Sequence, residues 1–321
     1  MRAAVYRELG PADVLHIEDL PEPHPGAGEV RVRIRVSGVN PTDWKTRTGG
    51  PGAQMPYEYV VPNKDGAGVV DEVGEGVEPD RVGERVWVFA GQRQHGTAAE
   101  WTCLPERKAV ELPDEVGFDF GASIGIPALT ARHALLCDGQ VAGSTVLVSG
   151  GAGAVGHFAV ELARRAGAKV ITTVSGPEKA ALAETAGANV VLDYTEGDVV
   201  QKIRDAAPDG VDRVVEVAPS NLELDSEVLA LYGTVVHYAS ADENPVLPVR
   251  AFMNLNATIR CMLLYTIPQA DLDAAVADVS AALAEGALSP LPFHRFGLEQ
   301  IADAHRAVEK GVTGKVIVEI D

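Results

Sequence analysis

The run Thr145-Val-Leu-Val-Ser-Gly-Gly-Ala-Gly-Ala-Val-Gly156 decides how this chain is read. Its first five residues form a short apolar strand, and Gly151, Gly153 and Gly156 then satisfy G-x-G-x-x-G. Each glycine has a separate physical task. The first permits a tight turn, the second lets backbone approach a pyrophosphate, and the third lets the next helix pack on the strand, with its N-terminal N–H groups facing negative charge. Val155, Phe158, Ala159, Leu162 and Ala163 follow at helical spacing, so the glycines stand in the strand–loop–helix context that a dinucleotide site requires. Gly151, Gly153, Ala154, Val155 and Gly156 are therefore the expected phosphate cradle.

The rhythm continues downstream. Strands are predicted at 169–174, 190–192, 212–217, 234–238 and 258–264, with helices at 178–186, 199–206 and 222–231 between them. Wholly apolar strands alternating with helices predict a doubly wound parallel Rossmann sheet of the α/β class. Helices at 271–284 and 298–309 and a strand at 315–320 close the chain. Upstream the pattern is different: 29–36 reads E-V-R-V-R-I-R-V, a half-buried strand, and short β-rich runs at 67–73, 85–89, 100–104 and 108–112 are cut by Gly, Pro and Asp. The expected domains are a β-rich substrate domain over 1–122, a dinucleotide domain over 123–266, and a return to the first over 267–321.

Composition narrows the partners. Lys+Arg 27 against Asp+Glu 46 leaves a net charge of -19, which repels nucleic acid and anionic membrane surfaces alike. No segment reaches the ~18 uncharged apolar residues of a membrane span, and Arg7 and Glu8 fall where a signal peptide needs an apolar run. Cys103, Cys137 and Cys261 are too few and too scattered for a disulfide framework or a Cys-built zinc site. A soluble protein of the reducing cytoplasm is expected.

Cofactor choice turns on Thr173-Val-Ser-Gly-Pro-Glu-Lys179, where an acid ~20 residues after the glycine loop would bind a ribose 2′-OH. No acid stands at the strand tip. Ser175 can donate to a phosphate and Lys179 can supply positive charge, which favours NADPH, although Glu178 would oppose a phosphate if it pointed inward. Lys179 as a solvated helix-face lysine is the alternative. Because ligands sit beyond the carboxyl ends of parallel strands, Ala218, Tyr238, Ala239 and Ser240 are expected beside the nicotinamide ribose, with Glu216 a candidate perturbed acid. Tyr57 and Tyr59 can stack on a flat substrate, or simply pack.

In order along the chain stand Gly38-Val-Asn-Pro-Thr-Asp43, Asp65-Gly-Ala-Gly-Val-Val70, Gly125-Ile-Pro-Ala-Leu-Thr-Ala131, the glycine loop, Thr173–Lys179 and Gly314-Lys-Val-Ile317. Together with the order of the lobes, this set resembles the medium-chain dehydrogenase/reductase superfamily, specifically its zinc-free quinone oxidoreductase (zeta-crystallin-like) branch, nearly end to end. The resemblance implies a GroES-like first lobe. It implies that Asn40 lies beside the nicotinamide, able to donate to a substrate carbonyl and accept from the cofactor carboxamide, while Asp43 fixes its loop. It places Lys45 in the acceptor pocket where many relatives carry Tyr. Thr130, Tyr194, Leu263, Tyr265 and Lys315 are carried over as cofactor contacts.

Zinc-dependent members of the superfamily have Cys where this chain has Asn40, and His-Glu where it has Lys64-Asp65. The eight His residues make no H-x-x-H spacing, so no metal is expected. Without a Lewis acid the substrate must itself accept hydride readily, as quinones and conjugated carbonyls do. The expected function is an NADPH:quinone reductase; reduction of an enone or 2-alkenal, or a non-catalytic crystallin-like NADPH-binding role, are the alternatives. A homodimer joined through the 258–264 edge strand is implied.

Overall fold

The computed structural model describes residues 1–89, 94–240 and 245–320. Its strands are β1 (Arg2–Val5), β2 (His16–Asp19), β3 (Glu29–Gly38), β4 (Asp65–Val73), β5 (Arg85–Val88), β6 (Trp101–Pro105), β7 (Ala109–Glu111), β8 (Thr145–Ser149), β9 (Lys169–Val174), β10 (Val190–Asp193), β11 (Val211–Glu216), β12 (Leu229–His237), β13 (Thr258–Cys261), β14 (Phe293–Gly297) and β15 (Lys315–Glu319). The chain forms two compact units, Met1–Ile126 with Pro292–Asp321, and Pro127–Leu291. The sequence pattern predicts the return to the first lobe from 267, whereas the helix Gln269–Ala284 belongs to the second unit.

In the first unit a seven-stranded sheet runs β14-β15-β3-β4-β5-β7, with β6 also paired to β3. The alternation of β3 does what its sequence requires: Val30, Val32, Ile34 and Val36 are buried, and the first three meet Val86, Val88, Leu104, Val316 and Val318 in one apolar core. Gly38 and Gly68 let strands and helix close up, since a methyl group would stand 1.9 Å from the Ala122 carbonyl oxygen and 2.0 Å from that of Arg33.

The second unit carries a six-stranded, wholly parallel sheet in the order β10-β9-β8-β11-β12-β13. This is the doubly wound order with β8 and β11 adjacent at its centre, where the connection reverses direction. Leu147, Ile171, Val214 and Val235 pack under the helix side chains Ile203, Leu222 and Phe252.

Three elements differ from the pattern-based expectation. The helix over 222–231 stops at Val228, because Leu229 turns extended and pairs with Val211 at the start of β12. The next register pair is Arg213 with Thr234, so 230–233 bulges from the ladder and leaves Leu231 and Tyr232 63% and 76% exposed. The edge strand ends at Cys261, not 264, where Leu264–Thr266 makes a short turn. Finally, the helix over 298–309 opens as a tighter 3-10 turn, Leu298–Gln300, before the α-helix Ile301–Glu309.

Candidate functional site

Two groups of residues stand out, one in each unit. In the second, β8 delivers the chain into the glycine loop at the sheet's carboxyl edge. Gly150 adopts φ 71°, and its N–H reaches Thr173 Oγ1 at 3.3 Å while that of Gly151 reaches the Thr173 carbonyl at 3.2 Å. A Cβ on Gly151 would stand 2.1 Å from Thr172 Oγ1, and one on Gly156 would stand 2.2 Å from the Gly150 carbonyl oxygen. At Gly153 the nearest atom would be 3.3 Å away. That glycine is not needed for packing; its bare Cα leaves room for a ligand. Gly153 is also the N-cap of the helix Ala154–Arg165 and supplies no side chain to its first N–H groups, as a phosphate cradle requires. The loop thus fits a dinucleotide pyrophosphate.

At the tip of β9, Lys179 Nζ donates to Ser175 Oγ at 2.9 Å, so these two residues form one polar pair. Parallel pairing of Asp193 with Val174 brings a carboxylate to the same tip. It accepts from the Gly176 N–H at 2.7 Å and from the Thr195 N–H and hydroxyl, which hold its pKa below the usual range. Reading along the chain missed Asp193, although its position directly after an apolar strand was the available signal. Tyr194 beside it is 52% exposed.

At the ends of β11 and β12, Glu216 is fully buried and its Oε1 accepts from the Ala218 N–H at 2.6 Å and from Asn221 Nδ2 at 3.3 Å, fixing the turn that carries Ala218. Asp225 lies beneath it, also fully buried. Among the described residues neither Asp225 oxygen has a hydrogen-bond partner, and His237 Nε2 stands 4.0 Å from Oδ2. Burial, and for Asp225 also the Glu216 charge, drive both pKa values up. Tyr238 and Ala239 are half-buried, Ser240 is exposed, Leu263 and Tyr265 lie on the exposed side of the following turn, and Thr130 is buried within its helix.

In the first unit, Asn40 precedes the helix Pro41–Thr48. Its backbone N–H donates to Asp43 Oδ2 at 2.8 Å, so Asp43 holds the loop. The Asn40 side chain is held at both ends. Its Oδ1 accepts from Lys315 Nζ at 2.7 Å, and its Nδ2 donates to Asp65 Oδ2 at 2.8 Å. The resemblance implied that this amide donates to a substrate carbonyl and accepts from the cofactor carboxamide; the bonds to Lys315 and Asp65 leave it, among the described residues, one further Nδ2 hydrogen and one further Oδ1 lone pair. Asp65 Oδ2 also accepts from the Ile126 N–H at 2.9 Å, and Lys315 Nζ further reaches the Val39 carbonyl at 3.2 Å. Asn40, Asp43, Asp65 and Lys315 are all buried. Burial raises the Asp65 pKa to about 7 against the opposing pull of Lys315, and lowers that of Lys315 against Asp65 and Asp43. Lys45 and Tyr57 are exposed; the Lys45 ammonium lies over the Trp44 ring and the Arg7 guanidinium over that of Tyr59.

A second line of buried polar groups supports the loop that presents Asp65. Arg47 is fully buried; it pairs with Glu309 and donates to His305 Nδ1 at 3.0 Å. His305 Nε2 meets Asn63 Oδ1 at 3.0 Å, Asn63 Nδ2 donates to Ser37 Oγ at 3.0 Å, Ser37 lies 2.7 Å from Thr97 Oγ1, and Thr97 donates to the Asp65 carbonyl at 2.6 Å. Burial and the Arg47 charge push His305 down to about 3, so the ring is neutral with its proton on Nε2. Positions 47, 63 and 305 are too far apart for any spacing rule to join them.

Among the described residues no three His, Cys, Asp or Glu side chains gather as a metal would need, and no helix is long and apolar enough to cross a membrane. Residues 26–114 match the alcohol dehydrogenase GroES-like domain family and 154–281 the zinc-binding dehydrogenase family. The quinone oxidoreductase of Homo sapiens is 31% identical over 324 residues, covering 99% of this chain and 97% of that protein. Among solved structures, an NAD-dependent alcohol dehydrogenase superposes with TM-score 0.89 at 28% identity over 100% of both chains. A mycobacterial protein complexed with NADPH gives 0.85 at 29% over 99% of this chain and 100% of that one. The chain belongs to the medium-chain dehydrogenase/reductase superfamily, in its quinone oxidoreductase branch. It is an oxidoreductase by that membership. The zinc in one family's description finds no suitable donor set at Asn40, Lys64 and Asp65: the Asn40 oxygen accepts from the Lys315 ammonium and Asp65 accepts from the Asn40 nitrogen.

Proposed function

We propose that this protein is an NADPH-dependent, zinc-independent reductase of quinones. The observation that carries the reading is the Asn40–Lys315–Asp65 cluster, a fixed amide dipole bounded by charge and free of thiolate or imidazole ligands. Such a group can orient and hydrogen-bond a carbonyl oxygen but lacks the polarising power of a divalent metal, so it suits an acceptor that delocalises incoming charge itself. The human relative's name and the mycobacterial relative's NADPH support the same reading.

Bound NADPH supplies the hydride. The amides after Gly151 and Gly153 bind its pyrophosphate, the Ser175–Lys179 pair takes its 2′-phosphate, and Tyr194 covers the adenosine side. Thr130, Ala218, Tyr238, Ala239, Ser240, Leu263 and Tyr265 border its nicotinamide half, Asn40 donates to the acceptor oxygen, and Lys45 and Tyr57 line the acceptor's approach. Holding donor and acceptor in contact supplies the larger share of the rate. Initial rates with NADPH and NADH against 1,2- and 1,4-quinones and 2-alkenals test this, alongside zinc content of the purified protein. Turnover of alkenals alone, or stoichiometric zinc that activity requires, would overturn it.

The protein is also proposed to be a cytoplasmic homodimer. Support for the dimer is the outer edge of β13, unpaired among the described residues, together with Leu231, Tyr232, Met253 and Leu263, each more than half exposed in the same unit. A monomer mass by light scattering in dilute solution refutes it, and Tyr232→Asp is expected to dissociate the dimer.

A further inference from the structure

We propose that Lys315 is a positioning residue that polarises the Asn40 amide, making its Nδ2–H a stronger hydrogen-bond donor to the acceptor oxygen as negative charge builds there. The inference rests on the quinone reading and deepens it.

The geometry leaves the amide one orientation. Lys315 Nζ has only donors and faces Oδ1 at 2.7 Å; Asp65 Oδ2 accepts and faces Nδ2 at 2.8 Å. Turning the amide over would set donor against donor and acceptor against acceptor, losing two charge-assisted bonds. The cation at the oxygen favours the resonance form in which the nitrogen lone pair enters the C–N bond and negative charge collects on Oδ1, which makes the nitrogen's hydrogens more acidic. Nδ2 has two hydrogens and, among the described residues, one hydrogen-bond partner. The second hydrogen is the one such a site aims at substrate.

The ammonium is itself held in place. It is 4% exposed, bonded to the Val39 carbonyl at 3.2 Å, and faces the carboxylates of Asp65 and Asp43. Asp65 in turn is fixed by the Ile126 N–H at 2.9 Å and by close packing of its Oδ1 on Gly125. Little reorganisation is left to make as charge develops, which is the condition for such a group to speed a reaction. Hydride adds to the quinone, an electron pair moves onto the carbonyl oxygen that Asn40 faces, and one proton from water completes the hydroquinone.

The test compares wild type with Lys315→Gln, which keeps a donor but loses the charge, and Lys315→Arg, which keeps the charge. Rates are measured over a series of 1,4-benzoquinones of graded reduction potential. K315Q is expected to lower kcat roughly tenfold for the weakest oxidants, less than the ~10²–10³ lost with a direct oxyanion donor, and by a smaller factor for the strongest, so log kcat rises more steeply with reduction potential. KM and the NADPH dissociation constant should stay within about threefold, and K315R should restore the slope. An equal loss across the series, or none, overturns the proposal and leaves Lys315 a neutraliser of Asp65.

A readout independent of turnover is the Asn40 side-chain amide in ¹H–¹⁵N spectra, assigned by its loss in Asn40→Ser. Its protons should lie downfield in wild type and K315R and move toward the ordinary range in K315Q. If wild type reduces no quinone, the quinone reading falls while this shift alone decides the Lys315 proposal: unmoved amide protons in K315Q refute it.

Discussion

Replacing the three loop glycines with alanine one at a time should separate packing from ligand binding. At Gly156 the new methyl would lie 2.2 Å from the Gly150 carbonyl oxygen, where real Cβ atoms essentially never come under 3.0 Å, and both are backbone, so the helix must slide away from the strand. Overpacking of this kind costs ~1–3 kcal/mol, or a Tm lower by roughly 3–10 °C. At Gly151 the clash is with the Thr172 side chain at 2.1 Å, which can turn only by giving up its 2.7 Å bond to the Val148 carbonyl, so a smaller loss is expected. Gly153→Ala meets nothing nearer than 3.3 Å, and its φ of -78° suits alanine. It should leave Tm within about 2 °C. The same methyl would stand between backbone and pyrophosphate, and a lost charge-assisted bond of ~1.5–3 kcal/mol raises the NADPH dissociation constant by roughly 10–150-fold. Scanning calorimetry without ligand and titration of NADPH fluorescence give the two numbers for each variant. Wild-type NADPH affinity in G153A would refute the assignment of this loop to phosphate, whatever the stabilities of the other two.

Lys179→Met should weaken NADPH by roughly 10-fold or more through loss of the contact to the 2′-phosphate, and leave NADH unchanged; equal losses for both would place Lys179 outside the phosphate site. Gly125→Ala puts a methyl 2.4 Å from Asp65 Oδ1 and 2.9 Å from Phe89 Cβ, so urea unfolding should show a loss of ~1–3 kcal/mol. The Asp225–Glu216 pair predicts a pH dependence. Its carboxyls keep their proton in the folded state above the ~3.9 to ~4.3 at which unfolded Asp and Glu release theirs, so stability is greatest below that range and falls as pH rises toward the folded values. Asp225→Asn cannot ionise and should flatten urea midpoints between pH 5 and pH 8.5; parallel curves for variant and wild type would refute a raised Asp225 pKa.

The parallel sheet was legible because each apolar strand in it is followed by a helix of period 3.6 and the glycine loop marks where the first pair joins. Local pattern says less where tertiary pairing decides the outcome. Val228 and Leu229 both read as one helix, yet Leu229 is drawn into the ladder beside Val211 and the chain bulges at Tyr232. The candidate site divides in the same way. Ser175 and Lys179 lie four residues apart on one turn and could be paired by eye. Lys315 and Asn40 are separated by 275 positions and meet only because β15 lies beside β3. Motif resemblance named both residues, Asn40 for substrate and cofactor and Lys315 for the cofactor; their bond to each other is a product of the sheet.

The buried line from Arg47 to the Asp65 carbonyl bears on how this sequence can diverge. A guanidinium stands at its head and does not release a proton, so the line holds the loop without conducting protons along it. Each neighbour is the other's partner, and exchanging Asn63, Ser37, Thr97 or His305 alone would orphan a donor or an acceptor inside the core. Descendants can therefore replace these residues together, with an apolar set of similar volume, but scarcely one by one. Positions spread from 37 to 305 are inherited as a single character.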